Sequence, residues 1–359
     1  MEESSKRIES IASIPTLLPD WFRKNARVLP WRRDKDPYHV WLSEIMLQQT
    51  RVETVISYYE RFLTAAPDIL ALSELEDEKL MKLWEGLGYY SRARNLKKAA
   101  QKIMTEFGGV FPTTYENIRS LPGVGPYTAG AIASICFELP FPAVDGNVLR
   151  VFTRLTADGA NTDEPQTKKR IEQALIPIYR QGLCSDLTQG LMELGACVCV
   201  PNGEPKCGVC PLNGTCMAHA AGNERDYPVK EKKKARKTVN KLVLVLIGDG
   251  RITLRQRAAS GLLAGLWEFP NRDFPSPEEI HENAAGAFAA ALGAKPTELQ
   301  RKTTYTHVFT HVEWRMTAFC FSCSSLPDSL PAFTLTDIER KHALPSAFRP
   351  FLDFSKDLL

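Results

Sequence analysis

Four cysteines, Cys199, Cys207, Cys210 and Cys216, fall within eighteen residues, with gaps of seven, two and five. Four thiolates on so short a loop make a metal site, and the fold has to bring them together. Zinc more often takes two short cysteine pairs. One short pair with two outlying cysteines suits an iron–sulfur cube, in which each iron needs one thiolate. The chain has nine cysteines in all, an odd number. Its start, Met-Glu-Glu-Ser-Ser, lacks the basic-then-apolar pattern of a secretory signal, so a disulfide framework is not expected. Cys136, Cys184, Cys320 and Cys323 read as ordinary core or surface residues. Cys197, two residues before the quartet, is the only substitute ligand in reach.

A chain of 359 residues points to two domains, each of about 100–200 residues. Hydrophobic residues at 44% and charged residues at 24% suit a globular protein with a sizeable core and exclude collagen-like or wholly disordered chains. No apolar run is long enough to predict a transmembrane helix, and no membrane partner is expected. Net charge is +3, but its distribution is uneven. Residues 219–241 carry eight basic and three acidic residues, while the segments on either side are each close to neutral. That stretch, centred on Val229-Lys-Glu-Lys-Lys-Lys-Ala-Arg-Lys, reads as a basic linker over 219–240, between domains at 1–218 and 241–359. A second basic segment, Arg92, Arg94, Lys97, Lys98 and Lys102, reads as an exposed helix face able to meet phosphates.

Apolar spacing of three and four, as in Leu80, Leu83, Trp84 and Leu87, predicts a mostly helical first domain. Beyond the linker, Leu242–Ile247, a Gly-Asp-Gly turn and Arg251–Arg257 predict a β-hairpin. Glu313–Phe321 alternates as a strand, and Ala284–Leu292 reads as one Ala-rich helix. The second domain is therefore α+β.

Chemistry concentrates in three places. Leu121-Pro-Gly-Val-Gly-Pro-Tyr-Thr-Ala-Gly-Ala-Ile has a tight Gly-x-Gly turn, with Gly123 and Gly125, followed by a small-residue helix. This is a helix–hairpin–helix whose outward N–H groups suit a phosphate; a plain αα-corner is the alternative. Pro142-Ala-Val-Asp145-Gly-Asn-Val places an acid at the start of an apolar helix, where an N-cap role competes with a catalytic one. Val40-Trp-Leu-Ser-Glu44-Ile-Met-Leu sets Glu44 among apolar neighbours, where desolvation favours the protonated form that a general acid needs. A surface Glu on an amphipathic helix is the bland alternative.

Together these segments resemble the helix–hairpin–helix DNA glycosylases that carry an iron–sulfur loop. Two branches compete, the endonuclease III type and the adenine-specific MutY type. Endonuclease III-like lyases have a nucleophilic Lys just after the hairpin glycines; here that position is Tyr127, so the lyase nucleophile is missing. Trp41–Thr54 and Trp84–Leu96 look like blocks of the MutY type, and only that type has a second domain resembling the nucleotide hydrolase MutT. Gly261-Leu-Leu-Ala-Gly-Leu-Trp-Glu-Phe-Pro resembles the MutT-like family segment. The Nudix helix should follow, ending at Gly293, but the chain offers Gly286, Ala287, Phe288, Ala289, Ala290, Ala291 and Leu292, so all three metal carboxylates are absent. No Mg-dependent Nudix site is expected, and the domain should bind without cutting.

The resemblance implies an all-α helix–hairpin–helix glycosylase domain with an iron–sulfur loop, joined to an α+β Nudix (MutT)-like domain. It implies one [4Fe-4S] cluster on the cysteine quartet. The implied activity is monofunctional removal, in base excision repair, of adenine mispaired with 8-oxoguanine or guanine in double-stranded DNA, with the bifunctional glycosylase/lyase as alternative. A non-catalytic damage binder and a Nudix hydrolase are weaker readings. Glu44 would protonate the flipped adenine and later activate water, and Asp145 would stabilise the cationic sugar. Tyr127 and Asn147 would support these carboxylates. Trp31, Arg32, Leu47 and Gln189 match positions around the adenine. Gln49, Thr50, Leu87, Tyr89, Phe309, Thr310 and His311 match positions near 8-oxoguanine, with Tyr89 as a wedge in the duplex. Two departures stand out. The first cysteine gap is one residue longer than the family's, and the usual Phe-Ser-His recognition loop reads Phe309-Thr310-His311. A monomer is expected, in a bacterial cytoplasm with the nucleoid, or else in a nucleus.

Overall fold

The chain forms two compact units. One comprises Met1–Glu74 with Arg94–Lys232, the other Leu75–Ala93 with Lys233–Leu359. The computed structural model describes residues 2–231 and 235–358; the middle of the basic stretch, 232–234, lies outside them.

The first unit is helical. The Pro37–Leu47 helix is buried at Tyr38 and at every position from Val40 to Met46, as an almost all-round apolar segment must be. Asp36 caps it, its carboxylate accepting from Tyr38 N. The Pro126–Phe137 helix is likewise buried from Thr128 to Ile135. At the turn before it, Gly123 has φ +78°, and a Cβ there would fall 2.7 Å from Asn95 Cβ. Both facts demand glycine. The small-residue face of the same helix lies against the backbone that leads to Asp145. The Gly146–Leu155 and Cys184–Cys197 helices complete the frame. Val148, Phe152, Leu187 and Leu191 meet Ile14 and Leu18 in one core.

The second unit is built on a mixed sheet. Its strands are β1 (Lys237–Gly248), β2 (Arg251–Thr253), β3 (Arg255–Gln256), β4 (Trp267–Glu268), β5 (Asn271–Phe274), β6 (Lys295–Val308), β7 (Val312–Ser325) and β8 (Ala332–Phe333). The main sheet runs β6-β7-β1-β2-β8, with β5 also on β1, while β3 and β4 pair separately. The β1–β2 hairpin turns at Asp249-Gly250, whose φ values of 49° and 68° match the Asp-Gly signal. β1 is apolar without alternation because both faces are covered. Leu242, Leu244 and Leu246 pack with Ala285 and Ala289 of the Glu282–Ala291 helix. Val243, Val245 and Ile247 pack with Ile338, Phe348 and Phe351 on the other face.

By contacts, Leu75–Ala93 groups with the second unit, where Lys82 and Glu85 hydrogen bond to the 338–344 backbone. Two expectations need correction. The expected linker 219–240 is shorter: the Met217–Ala221 helix occupies its start and β1 begins at Lys237. Its early part is also fixed, since the Val229 carbonyl accepts from Thr162 N at 3.0 Å and Thr162 Oγ1 at 3.1 Å. Finally, Arg92 is not on an exposed basic face. It is buried, and its Nη2 donates to the carbonyls of Leu87 (2.8 Å) and Gly88 (3.0 Å). Burial lowers its pKa to about 10.

Candidate active site

A cleft of about 330 Å³ in the first unit is lined by Glu44, Tyr127, Asp145 and Asn147 together. Glu44 comes from the Pro37–Leu47 helix, is only 6% exposed, and reaches the cleft from within the core. Burial pushes its pKa up to about 7. Tyr127 Oη donates to Glu44 Oε2 at 2.6 Å and opposes that rise; the charge of Asp145 adds to it. Tyr127 is half-buried, and desolvation with the neighbouring Glu44 pushes its phenol well above its usual range, so it stays protonated and a donor.

Asp145 is both things its sequence context allowed. It is the N-cap of the Gly146–Leu155 helix, with Oδ1 accepting from Val148 N at 2.8 Å. Its Oδ2 accepts from Asn147 Nδ2, also at 2.8 Å. Burial raises its pKa and these bonds oppose the rise. Two carboxyl groups thus share a cleft, both pushed up by burial, but in different settings: Glu44 takes one hydrogen bond from Tyr127, whereas both Asp145 oxygens accept hydrogen bonds that favour its anion.

Asn147 is itself oriented. Arg150 Nη2 donates to Asn147 Oδ1 at 2.8 Å and to the Gly195 carbonyl at 2.8 Å, and its Nε donates to the Cys199 carbonyl at 2.7 Å. The Cys184–Cys197 helix approaches so closely that a Cβ on Gly195 would sit 2.5 Å from Asn147 Cβ. Neither Arg150 nor Gly195 carries a motif signal. Nor did Glu193, which lines the cleft with a side chain only 1% exposed. Burial alone would raise its pKa, but the Arg27 and Arg32 guanidiniums pull it down to about 2. They do so through contacts of 2.7 Å and 2.8 Å. A lone Glu among Leu187, Leu191 and Leu194 was the available clue.

Trp31, Arg32, Leu47 and Gln189, expected around adenine, all line this cleft, as do Gln49 and Thr50. Trp31 is buried edge-on to Tyr59 at 5.5 Å. Gln49 has a left-handed backbone, φ 58°, as the chain leaves the helix. The cleft does not include Leu87, Tyr89, Phe309, Thr310 or His311, which belong to the second unit. There Phe309–His311 form the β6–β7 turn, closed by Phe309 N donating to the Val312 carbonyl at 2.8 Å. Phe309 packs on Trp314 with ring centroids 4.8 Å apart. Thr310 Oγ1 hydrogen bonds to Tyr89 Oη, and Leu87 is buried beneath the turn that carries Tyr89.

The cysteine quartet does converge. Cys199, Cys207, Cys210 and Cys216 line one small pocket together with Val198, Pro205, Arg154, His219 and Glu224. Burial first, and then the neighbouring thiols, push Cys210 up to about 12. Arg154 Nη1 donates to Cys199 Sγ at 3.3 Å and to the Val200 carbonyl at 3.0 Å, so a cation already faces the sulfurs. Cys197 points elsewhere, to Glu193 Oε1 at 3.5 Å. A soft four-sulfur donor set beside a buried guanidinium fits an iron–sulfur cube.

Residues 42–177 match the HhH-GPD superfamily of base excision DNA repair proteins, and residues 242–354 match the NUDIX domain. The chain is 34% identical over 379 aligned residues to an adenine DNA glycosylase of Mus musculus, covering 90% of this chain and 73% of that protein. It is 37% identical over 265 residues to an adenine DNA glycosylase of Buchnera aphidicola, covering 72% and 74%. Among solved structures, a thermostable thymine-DNA glycosylase is 27% identical, with a TM-score of 0.52 over 61% of this chain and 98% of that one. Endonuclease III in a non-covalent DNA complex is 22% identical, with a TM-score of 0.51 over 60% and 97%, a likeness of fold alone. Combining a helix–hairpin–helix base excision unit with a Nudix unit, the chain belongs to the adenine DNA glycosylase family.

Proposed function

We propose that the chain is a monofunctional adenine DNA glycosylase of base excision repair, cutting the N-glycosidic bond of adenine opposite 8-oxoguanine or guanine. The observation that carries this reading is the pairing in one cleft of Glu44, a desolvated carboxyl pushed up to about 7, with Asp145, whose two oxygens are both held by hydrogen-bond donors. Glycoside hydrolysis needs one acid and one anion.

The adenine leaves the stack and enters the cleft, against Trp31 and Leu47. Glu44, whose pKa burial raises to about 7, gives its proton to N7 of the base. The C1′–N9 bond then breaks and its electron pair leaves with adenine. Asp145, fixed by Val148 N and Asn147, stabilises the sugar cation, by charge or as a transient ester. Glu44, now anionic, takes a proton from the water that adds to C1′. Tyr127 keeps Glu44 oriented through both protonation states.

The cysteine quartet would hold one [4Fe-4S] cluster, while Arg150 and Arg154 tie the loop after the Cys184–Cys197 helix to the helix that Asp145 caps. In the second unit, Thr310 with Phe309 and His311 would read 8-oxoguanine and Tyr89 would enter the duplex. The Glu282–Ala291 helix carries none of the three Nudix metal carboxylates at its expected positions, so this unit binds without hydrolysing a pyrophosphate.

The test is a single-turnover comparison of base release from duplexes carrying A opposite 8-oxoguanine, guanine and thymine. Free adenine is expected from the first two and not from the third. High-yield borohydride trapping of an enzyme–DNA adduct would instead support the lyase reading and overturn this one.

A further inference from the structure

The turn that carries Tyr89 is tightly constrained. Gly86, Gly88 and Tyr89 all have left-handed backbones, with φ of 100°, 69° and 45°, and for a tyrosine that conformation persists only where its surroundings impose it. Arg92 grips the turn through the Leu87 and Gly88 carbonyls, and Trp84 Nε1 donates to the Gly88 carbonyl at 3.2 Å. These contacts shape the turn but do not explain why it stays beside Thr310.

The Asp77–Leu83 helix and the residues after it supply that anchor. Lys82 Nζ donates to the carbonyls of Ile338 and His342, each at 3.2 Å. Ile338 lies in the last turn of the Leu335–Arg340 helix, where carbonyls lack partners and a cation is favoured. Glu85 Oε1 accepts from Leu344 N at 2.9 Å, and Glu85 Oε2 meets Lys82 Nζ at 2.6 Å. Both side chains are 18% exposed, so the pair is partly desolvated and clamps a carbonyl–amide stretch from both ends.

We propose that Lys82 and Glu85 are positioning residues for lesion discrimination: they latch the 338–344 segment to the Tyr89 turn and so hold Tyr89 against Thr310. The proposal rests on the reading of Thr310 as the 8-oxoguanine reader. Neither side chain need touch DNA.

The test uses the full chain and single-turnover rates on A:8-oxoguanine and A:G duplexes. Lys82→Ala and Glu85→Ala should each lower the ratio of the two rates about tenfold, the scale of one charge-assisted hydrogen bond, with the A:G rate within about twofold of wild type. Lys82→Arg and Glu85→Gln keep a donor and an acceptor and should restore the ratio. Thr310→Ala runs in parallel. If it lowers the ratio while Lys82→Ala and Glu85→Ala do not, the latch alone is wrong. If Thr310→Ala leaves the ratio unchanged, the reader assignment fails and the latch with it. Equal loss on both duplexes, or no recovery with Arg and Gln, marks a general structural role and also overturns the latch.

Discussion

Tyr127→Phe isolates the hydrogen bond that sets the acidity of Glu44. In the wild type, burial lifts the Glu44 carboxyl to about 7 while the Tyr127 hydroxyl, 2.6 Å away, stabilises the anion. A hydrogen bond to a charged group contributes roughly 1.5–3 kcal/mol. One pKa unit corresponds to about 1.4 kcal/mol, so losing the bond should raise Glu44 by about one to two units. The active form for bond cleavage is the protonated one. The basic limb of the single-turnover pH profile should therefore move from about 7 to roughly 8–9. Its plateau should be lower, because an orienting contact is gone. The profile would be measured on an A:8-oxoguanine duplex between pH 5.5 and about 9.5, with enzyme in excess. A limb that stays near 7, or moves down, would refute the assignment of Glu44 as a desolvated acid restrained by Tyr127.

Three further outcomes follow from the same geometry. Glu44→Gln should abolish cleavage yet stabilise the protein in alkali. Because the folded pKa of Glu44 is raised, the native state holds more protons than the unfolded one between about 4.5 and 7. Wild-type stability falls as pH rises through that window, by up to about 3 kcal/mol, and the variant escapes it; thermal midpoints at pH 5 and pH 8 check this. Glu193→Ala leaves Arg27 and Arg32 without their shared carboxylate and should cost about 3–5 kcal/mol in urea unfolding. The Glu193 pKa is depressed, so its contribution is present above about pH 4.5 and is lost as pH falls towards about 2. Gly195→Ala forces Asn147 aside, since its Cβ would be 2.5 Å away. It should lower stability by about 1–3 kcal/mol and slow cleavage more than it weakens binding to DNA, which rate and affinity measurements separate.

Local signals made the chemistry legible. Glu44 stands among apolar residues and Asp145 opens a helix, so burial and capping could be read from their neighbours. The cysteine spacing and the Gly123–Gly125 turn are likewise contained in short windows. The supports were not legible because their partners are remote. Glu193 meets Arg27 from 166 residues away, and Lys82 meets Ile338 from 256 residues away. Arg150 looks like any helical arginine until the Gly195 and Cys199 carbonyls are brought to it. The same distance hides that Leu75–Ala93 packs on the 338–344 backbone: its helical periodicity is genuine, and only tertiary contacts reveal where it packs. Arg92 was misread for a related reason, since a basic run does not say which of its members turns inward.

The central claim is that Glu44 and Asp145 together release adenine without cutting the strand. It is tested most directly by single-turnover reaction of wild type, Asp145→Asn and Glu44→Gln with an A:8-oxoguanine duplex, scoring free adenine and strand breaks before and after alkali. Wild type should release adenine and show breaks only after alkali, and both variants should release none. Strand scission by wild type without alkali, or adenine release that survives either substitution, would contradict it.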